Sequence, residues 1–265
     1  MFGIEELTRS FQRHTSGFIV SAVIAAGFMA IALLGNYTYF GTSSGVLHTR
    51  DAWLLVPLCG VVGGLSGGVF SRVVIGAAGG LRGRVGQWLN ARPVAFAMLC
   101  GLGVALCGAG SDGTVYGTGY DQVKAALEAD MPLPAQFGVL KLAATLLTSI
   151  STIPGGIFSP SLAIGAGIGA NIGALFGNVD IGVLMLLGMA AYLAGVVQAP
   201  ITSFIIVTEM TNNHSMLIPL MAAAVIGHGA SRLVCPEGIY HALARRLLDG
   251  IAAEKKRAAE PAPQG

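Results

Sequence analysis

The sequence predicts an all-α protein that crosses a membrane several times. Three observations carry this. Apolar residues make up 54% of the chain and charged residues only 11%, with a mean hydropathy of +0.72, a balance that belongs to polytopic membrane proteins. The apolar residues fall into successive runs separated by short polar segments. One such break, residues 154–163, sits between two apolar runs, where irregular backbone survives only against protein or a watery cavity.

Taken in order, residues 2–14 form a short amphipathic start, and a span at about 16–37 follows, with no charge between Arg13 and Arg50. Glu5 and Glu6 lie beside Arg9 and Arg13, and no small-residue cleavage site follows, so this run reads as a true span and not a signal peptide. A second run covers about 52–79, a third about 93–109. Residues 110–119 form a polar, turn-rich loop, and 120–130 a short surface helix closed by Pro132 and Pro134. Apolar helices follow at about 137–152, 157–177, 181–197, 199–211 and 215–233. Several are shorter than the ~20 residues a full span requires, and short helices meeting at mid-membrane suggest a transporter-like fold.

The positive-inside rule puts Arg82, Arg84, Arg92, Arg245, Arg246 and Lys255 to Arg257 in the cytoplasm, with the 36–52 loop outside. Residues 1–250 read as the membrane unit. The segment 251–265, charged and rich in alanine and proline, reads as a disordered cytoplasmic tail. The net charge of +2 gives no reason to expect nucleic-acid binding. The four cysteines are scattered without a CxxC pair and read as small buried thiols. Stripes of glycine at helical spacing, Gly60–Gly64–Gly68 and Gly165–Gly169–Gly173–Gly177, read as close helix–helix contacts.

The break at Pro-Gly-Gly-Ile-Phe-Ser-Pro is the strongest functional signal. Pro154 ends one helix. Gly155 and Gly156 let the backbone turn and a ligand approach, and Pro160 suits the first turn of the next helix. The expected result is a helix N-terminus at membrane depth near Ile157 and Phe158, a place that favours an anion through its dipole and its unpaired amides.

With these residues in view, the chain resembles the CLC family of chloride channels and chloride/proton exchangers. Gly155-Gly156-Ile157-Phe158-Ser159-Pro160 is similar to the family's anion-path motif. Lys141 stands where the family has a basic residue, Ala199-Pro200-Ile201-Thr202 with Glu209-Met210-Thr211 resembles a later signature, and Ile239-Tyr240 resembles the opening of the last helix. The resemblance runs from residue 2 to about 250. It implies an inverted-repeat fold of which this chain holds the second half and the tail of the first. It implies an anion site at Gly155, Gly156, Ile157 and Phe158, acting through backbone N–H, with the Tyr240 hydroxyl as a neutral donor. It also implies a proton-relay role for Glu6, the second acid of Ile4-Glu5-Glu6, which favours an exchanger.

Two earlier motifs of the family, Gly-Ser-Gly-Ile-Pro and Gly-Arg-Glu-Gly-Pro, do not occur. The expectation is therefore a fragment, or a gene model begun at an internal methionine. The expected function is chloride transport by the whole parent, as a chloride/proton exchanger or a voltage-gated channel, in a bacterial-type inner membrane. The expected partners are chloride, protons, the lipid bilayer and a second copy of the chain, with a homodimer surface over residues 16–79 and 181–230. No organic cofactor, catalytic residue or metal is implied.

Two rival readings come from other classes. A non-transporting membrane scaffold would keep the dimer surface and lose the path. Gly64-Leu65-Ser66-Gly67-Gly68 matches G-x-S-x-G, and an intramembrane serine protease would pair Ser66 with a base such as His228. The strand–turn–helix context of that motif is missing. Lys141 could raise the potential along an anion route, or snorkel or pair with a carboxylate. Glu209 pairs or caps locally, with proton handling as the lesser alternative, and Thr202, Ser203 and Thr208 bond back to helix carbonyls.

Overall fold

The computed structural model describes residues 13–35, 38–43, 45–47, 52–80, 91–129, 131–151, 153, 155–177 and 179–259; of 13–19, 34, 52 and 250–259 it describes the backbone alone. The amphipathic start, Glu6, Arg82, Arg84 and Pro154 lie outside the described residues. The elements are α1 (Arg13–Leu34), α2 (Ala52–Ala78), α3 (Pro93–Ala109), α4 (Tyr120–Glu128), α5 (Phe137–Ile150), α6 (Phe158–Phe176), α7 (Ile181–Val197), α8 (Pro200–Thr211), α9 (Leu217–Val234) and α10 (Ile239–Ala259), with a short 3₁₀ turn at His214–Met216 before α9. Every described element is helical, as the apolar runs predict.

The boundaries follow local chemistry. Pro93 and Pro200 open α3 and α8 in the first turn, where a missing N–H costs nothing. Asp180 caps α7, its carboxylate accepting from the Gly182 amide at 2.8 Å. Left-handed residues close three helices in succession: Gly177 after α6, Gln198 after α7 and Asn212 after α8. One boundary differs from expectation. Helix α10 continues to Ala259, well into the segment assigned to a disordered tail. Alanine, glutamate, lysine and arginine dominate residues 252–259, and these are strong helix formers that extend a helix already nucleated upstream.

Helix α7 is the centre of the protein. Nearly all of it is buried, by α6 on one side and by α2 and α9 on others. In hydrocarbon, apolar side chains gain nothing by leaving lipid, so association depends on close packing. The glycine stripes supply it. A Cβ on Gly165 would meet the Gly188 carbonyl, and one on Gly169 the Leu184 carbonyl, both on α7. A Cβ on Gly64 would meet the Gly227 backbone on α9, and one on Gly67 the Tyr192 carbonyl on α7. The hydroxyls of Ser71 and Ser231 add bonds across the same seams, donating to the Val196 carbonyl at 3.1 Å and the Gly195 carbonyl at 2.5 Å. Ser203 and Thr208 bond back to the Ala199 and Phe204 carbonyls, as expected for such residues in apolar helices.

Among the described residues three helices are long and apolar enough to cross a bilayer: Trp53–Ala78, Phe158–Phe176 and His214–Val234. Val20–Leu33, Pro93–Ala109, Phe137–Ile150, Ile181–Val197 and Pro200–Thr211 are shorter apolar stretches. The α1–α2 connection is tied to the end of α8, with the Phe40 amide donating to the Met210 carbonyl at 2.9 Å and Asn213 to the Gly45 carbonyl at 2.9 Å.

Candidate functional site

The break before α6 opens onto a cavity of about 610 Å³. Gly155, Gly156, Ile157 and Pro160 line it from the start of α6, and Ile239 and Tyr240 line it from the start of α10. The structure thus brings together four of the five residues named for the anion site. The fifth, Phe158, opens α6 but packs its half-buried side chain against the core. The N-cap of α6 is Ile157, whose side chain makes no cap hydrogen bond and has no acceptor to offer. The Ser161 hydroxyl shares the Ile157 carbonyl with its own amide.

Gly155 and Gly156 do not serve packing. A Cβ on Gly155 would make one ordinary contact, with Thr148, and a Cβ on Gly156 would meet nothing within 4 Å. They differ in this from Gly64, Gly165 and Gly169, which sit against neighbouring backbone; Gly177, placed in a stripe by its spacing, instead ends α6 in a left-handed conformation with nothing within 4 Å of its Cβ position. Neither Gly155 nor Gly156 adopts a left-handed backbone conformation, and what they leave is open space beside the start of α6.

The opposite wall comes from α5 and from the 110–119 loop. Lys141 is 1% exposed yet finds no carboxylate. Its ammonium donates to the carbonyls of Val115 at 2.7 Å and Gly117 at 2.8 Å. Both carbonyls belong to residues that line the cavity, as does Lys141. The lysine therefore holds the loop against the cavity and places a cation at its edge, a combination that neither local pairing nor snorkelling describes. Tyr116 closes the same loop, lying where a Cβ on Gly108 would stand.

The sequence reading named Lys141 for an anion route but missed the rest of this wall. Lys141, Thr145 and Thr148 recur at helical spacing and share one face of an otherwise apolar helix, a signal that was available. Thr148 and Ser149 bond back to the Ala144 and Thr145 carbonyls, which lets polar groups face the cavity without leaving donors unpaired. The loop residues Val115, Tyr116 and Gly117 carried no signal, because only the long-range bonds of Lys141 place them. Ser111 donates to the Gly108 carbonyl at 3.2 Å and does not line the cavity.

The protease geometry is not present. Ser66 donates to the Val62 and Gly63 carbonyls of its own helix at 2.8 and 2.9 Å, the habit of a helical serine and not of a nucleophile held by a base. His228 lines a separate, smaller cavity in which Ser66 has no part. Glu209 is exposed and lines a shallow hollow against α1 with Gly27, Gly35 and Tyr39. All four cysteines are free thiols.

Comparison with known proteins agrees with this architecture. The family model described as voltage gated chloride channel matches residues 1–232. The voltage-gated ClC-type chloride channel ClcB of Salmonella typhimurium is 37% identical over 136 residues, covering 48% of this chain and 32% of that protein. Among solved structures, a CLC-type fluoride/proton antiporter aligns with a TM-score of 0.64 at 22% identity over 77% of this chain and 50% of its own. A slow cyanobacterial Cl⁻/H⁺ antiporter aligns with a TM-score of 0.65 at 20% identity over 94% of this chain and 60% of its own. The sequence spans between about a third and three fifths of the length of these relatives. With an all-helical fold built on glycine-packed, partly short helices and a family match over most of its length, the chain is a multi-pass membrane protein of the voltage-gated chloride channel (CLC) family.

Proposed function

We propose that this chain forms the C-terminal half of a chloride path, and that the whole protein moves chloride across a bacterial-type inner membrane, in exchange for protons. One observation carries the reading: the start of α6 at Gly155–Ile157, with no side-chain cap from Ile157, and the phenol of Tyr240 line one cavity. A helix N-terminus and a hydroxyl offer partial positive charge, so they replace water around a halide without the permanent trap a fixed cation in the first shell would create. Lys141, its ammonium held by two carbonyls at the edge, raises the potential along the route without contributing a free cation.

Exchange adds a role for Glu6 as a proton relay from the cytoplasmic side. Pairing of two copies through the lipid-facing surfaces of α1, α2, α8 and α9 is the quaternary expectation, supported by exposed apolar side chains such as Leu54, Ile201, Ile218 and Val225 on these helices.

Proteoliposomes holding this chain together with the upstream half supply the test. Chloride efflux accompanied by proton influx supports the exchanger, and replacing Glu6 with Gln then abolishes proton movement while chloride movement persists. Chloride flux without any proton movement corrects the reading to a channel. Absence of flux for any halide rejects the path.

A further inference from the structure

A second cavity, of about 270 Å³, lies where the ends of α7 and α9 meet the start of α10. Gln198, His228, Arg232, Glu237, Gly238 and His241 line it. Its volume falls below the roughly 300 Å³ at which pockets begin to hold drug-sized ligands, so a small group is the fitting occupant. The positive-inside rule places this end of the protein in the cytoplasm, beside Arg245 and Arg246.

The charge of the cavity is decided by which groups are already spent. Glu237 is the one acid on the wall, and Arg245 neutralises it through two bonds from Nη2, at 2.7 Å to Oε1 and 2.8 Å to Oε2. Arg232 forms no ion pair or hydrogen bond among the described residues. The carbonyl ends of the adjoining helices are occupied as well. Cys235 O accepts from Gln198 Nε2 at 2.6 Å, Val234 O from Arg72 at 3.2 Å, and Ala194 O from the Gln198 amide at 2.9 Å. Arg246 donates to the Ile75 carbonyl on α2. What remains to face the cavity is the uncompensated guanidinium of Arg232 and the imidazole of His241, which offers an N–H even when neutral. His228, His241 and Glu237 do not form a metal-binding group: among the described residues no cluster of three or more such side chains could hold an ion.

We propose that this cavity binds a phosphate group, with Arg232 as its principal ligand and His241 as a further donor. A planar guanidinium suits phosphate oxygens, and the imidazole adds a donor without adding a permanent charge. The occupant is inorganic phosphate or the headgroup of an anionic lipid, and both present the same chemistry at this membrane edge. The site is separate from the larger cavity but adjoins it: His241 and Tyr240 are neighbours in the first turn of α10 and line different cavities.

The experiment uses the full chain in lipid nanodiscs. In phosphatidylcholine discs, inorganic phosphate is titrated in chloride-free buffer and followed by ³¹P line broadening. Saturable binding is expected, weakened about tenfold or more by Arg232→Gln, as for loss of a charged hydrogen bond, largely retained in Arg232→Lys, and unchanged in Tyr240→Phe. In discs containing phosphatidylglycerol, native mass spectrometry counts retained lipids without added phosphate. A lipid held by the parent chain and lost in Arg232→Gln identifies the lipid headgroup as occupant; Arg232-dependent binding in the phosphate arm alone identifies the free ion. The proposal is overturned if neither probe is retained, if Arg232→Gln changes neither, or if phosphate binding is lost in Tyr240→Phe and kept in Arg232→Gln. The last result would place phosphate in the larger cavity. None of these readouts depends on chloride transport.

Discussion

Ile157 and Tyr240, each at the first turn of a helix, face one cavity from two ends of the sequence. Helix α7 makes this possible. It is buried from Val183 to Val197, and α6 is locked to it by glycine contacts that leave no room for adjustment. The start of α6 is therefore fixed relative to the helix that also leads, through Gln198 and its bond to the Cys235 carbonyl, to the start of α10.

Tyr240→Phe tests the donor. The ring is half-buried against the core and is retained by the substitution, so the fold is expected to survive. Loss of one hydrogen bond to a charged partner is worth about 1.5–3 kcal/mol, and a matching drop in chloride affinity of about tenfold or more is expected by calorimetry. Unchanged affinity would remove Tyr240 from the site.

Two glycine substitutions separate packing from path. Gly169→Val forces a side chain onto the Leu184 carbonyl and is expected to destabilise the protein by about 1–3 kcal/mol, read as a clear fall in melting temperature in detergent. Gly156→Val meets open space and is expected to shift stability by no more than about 0.5 kcal/mol while reducing anion flux. Normal flux in Gly156→Val would show that ions pass elsewhere.

Lys141→Met removes two hydrogen bonds and strands the Val115 and Gly117 carbonyls. Leaving buried acceptors unpaired costs about 1–3 kcal/mol, and amide exchange in residues 113–119 is expected to accelerate. Exchange that stays slow in this loop would mean that the lysine does not hold it.

Asp180→Ala removes the cap of the central helix. A loss of about 1 kcal/mol is expected, with most of it restored in Asp180→Ser. A thermal melt that does not move would show that burial alone sets the start of α7.

Much of this was legible in the residues. Pro93, Pro200 and Gly177 stand at helix boundaries whose chemistry is local, so the order of helices could be read directly. The same holds for the break before Ile157, where two glycines interrupt apolar sequence. The wall made by Val115–Gly117 was not legible, because a loop has no periodicity and its place depends on a lysine far along the chain. The stripe glycines and Gly155–Gly156 look alike as letters. Only three-dimensional contact shows that Gly64, Gly165 and Gly169 are packed against backbone while Gly155, Gly156 and the helix-ending Gly177 are open. The smaller cavity was also hidden, since Arg232, Glu237 and His241 belong to separate elements and their charge balance depends on Arg245.

The central claim is that a halide sits between the start of α6 and Tyr240. The most direct measurement is a structure determined with bromide in place of chloride, located by its anomalous scattering. The account predicts a bromide peak in the cavity within hydrogen-bond distance of the backbone at Ile157–Phe158 and of the Tyr240 hydroxyl. A cavity without bromide at saturating concentration, or a peak only against Arg232 in the smaller cavity, would contradict it.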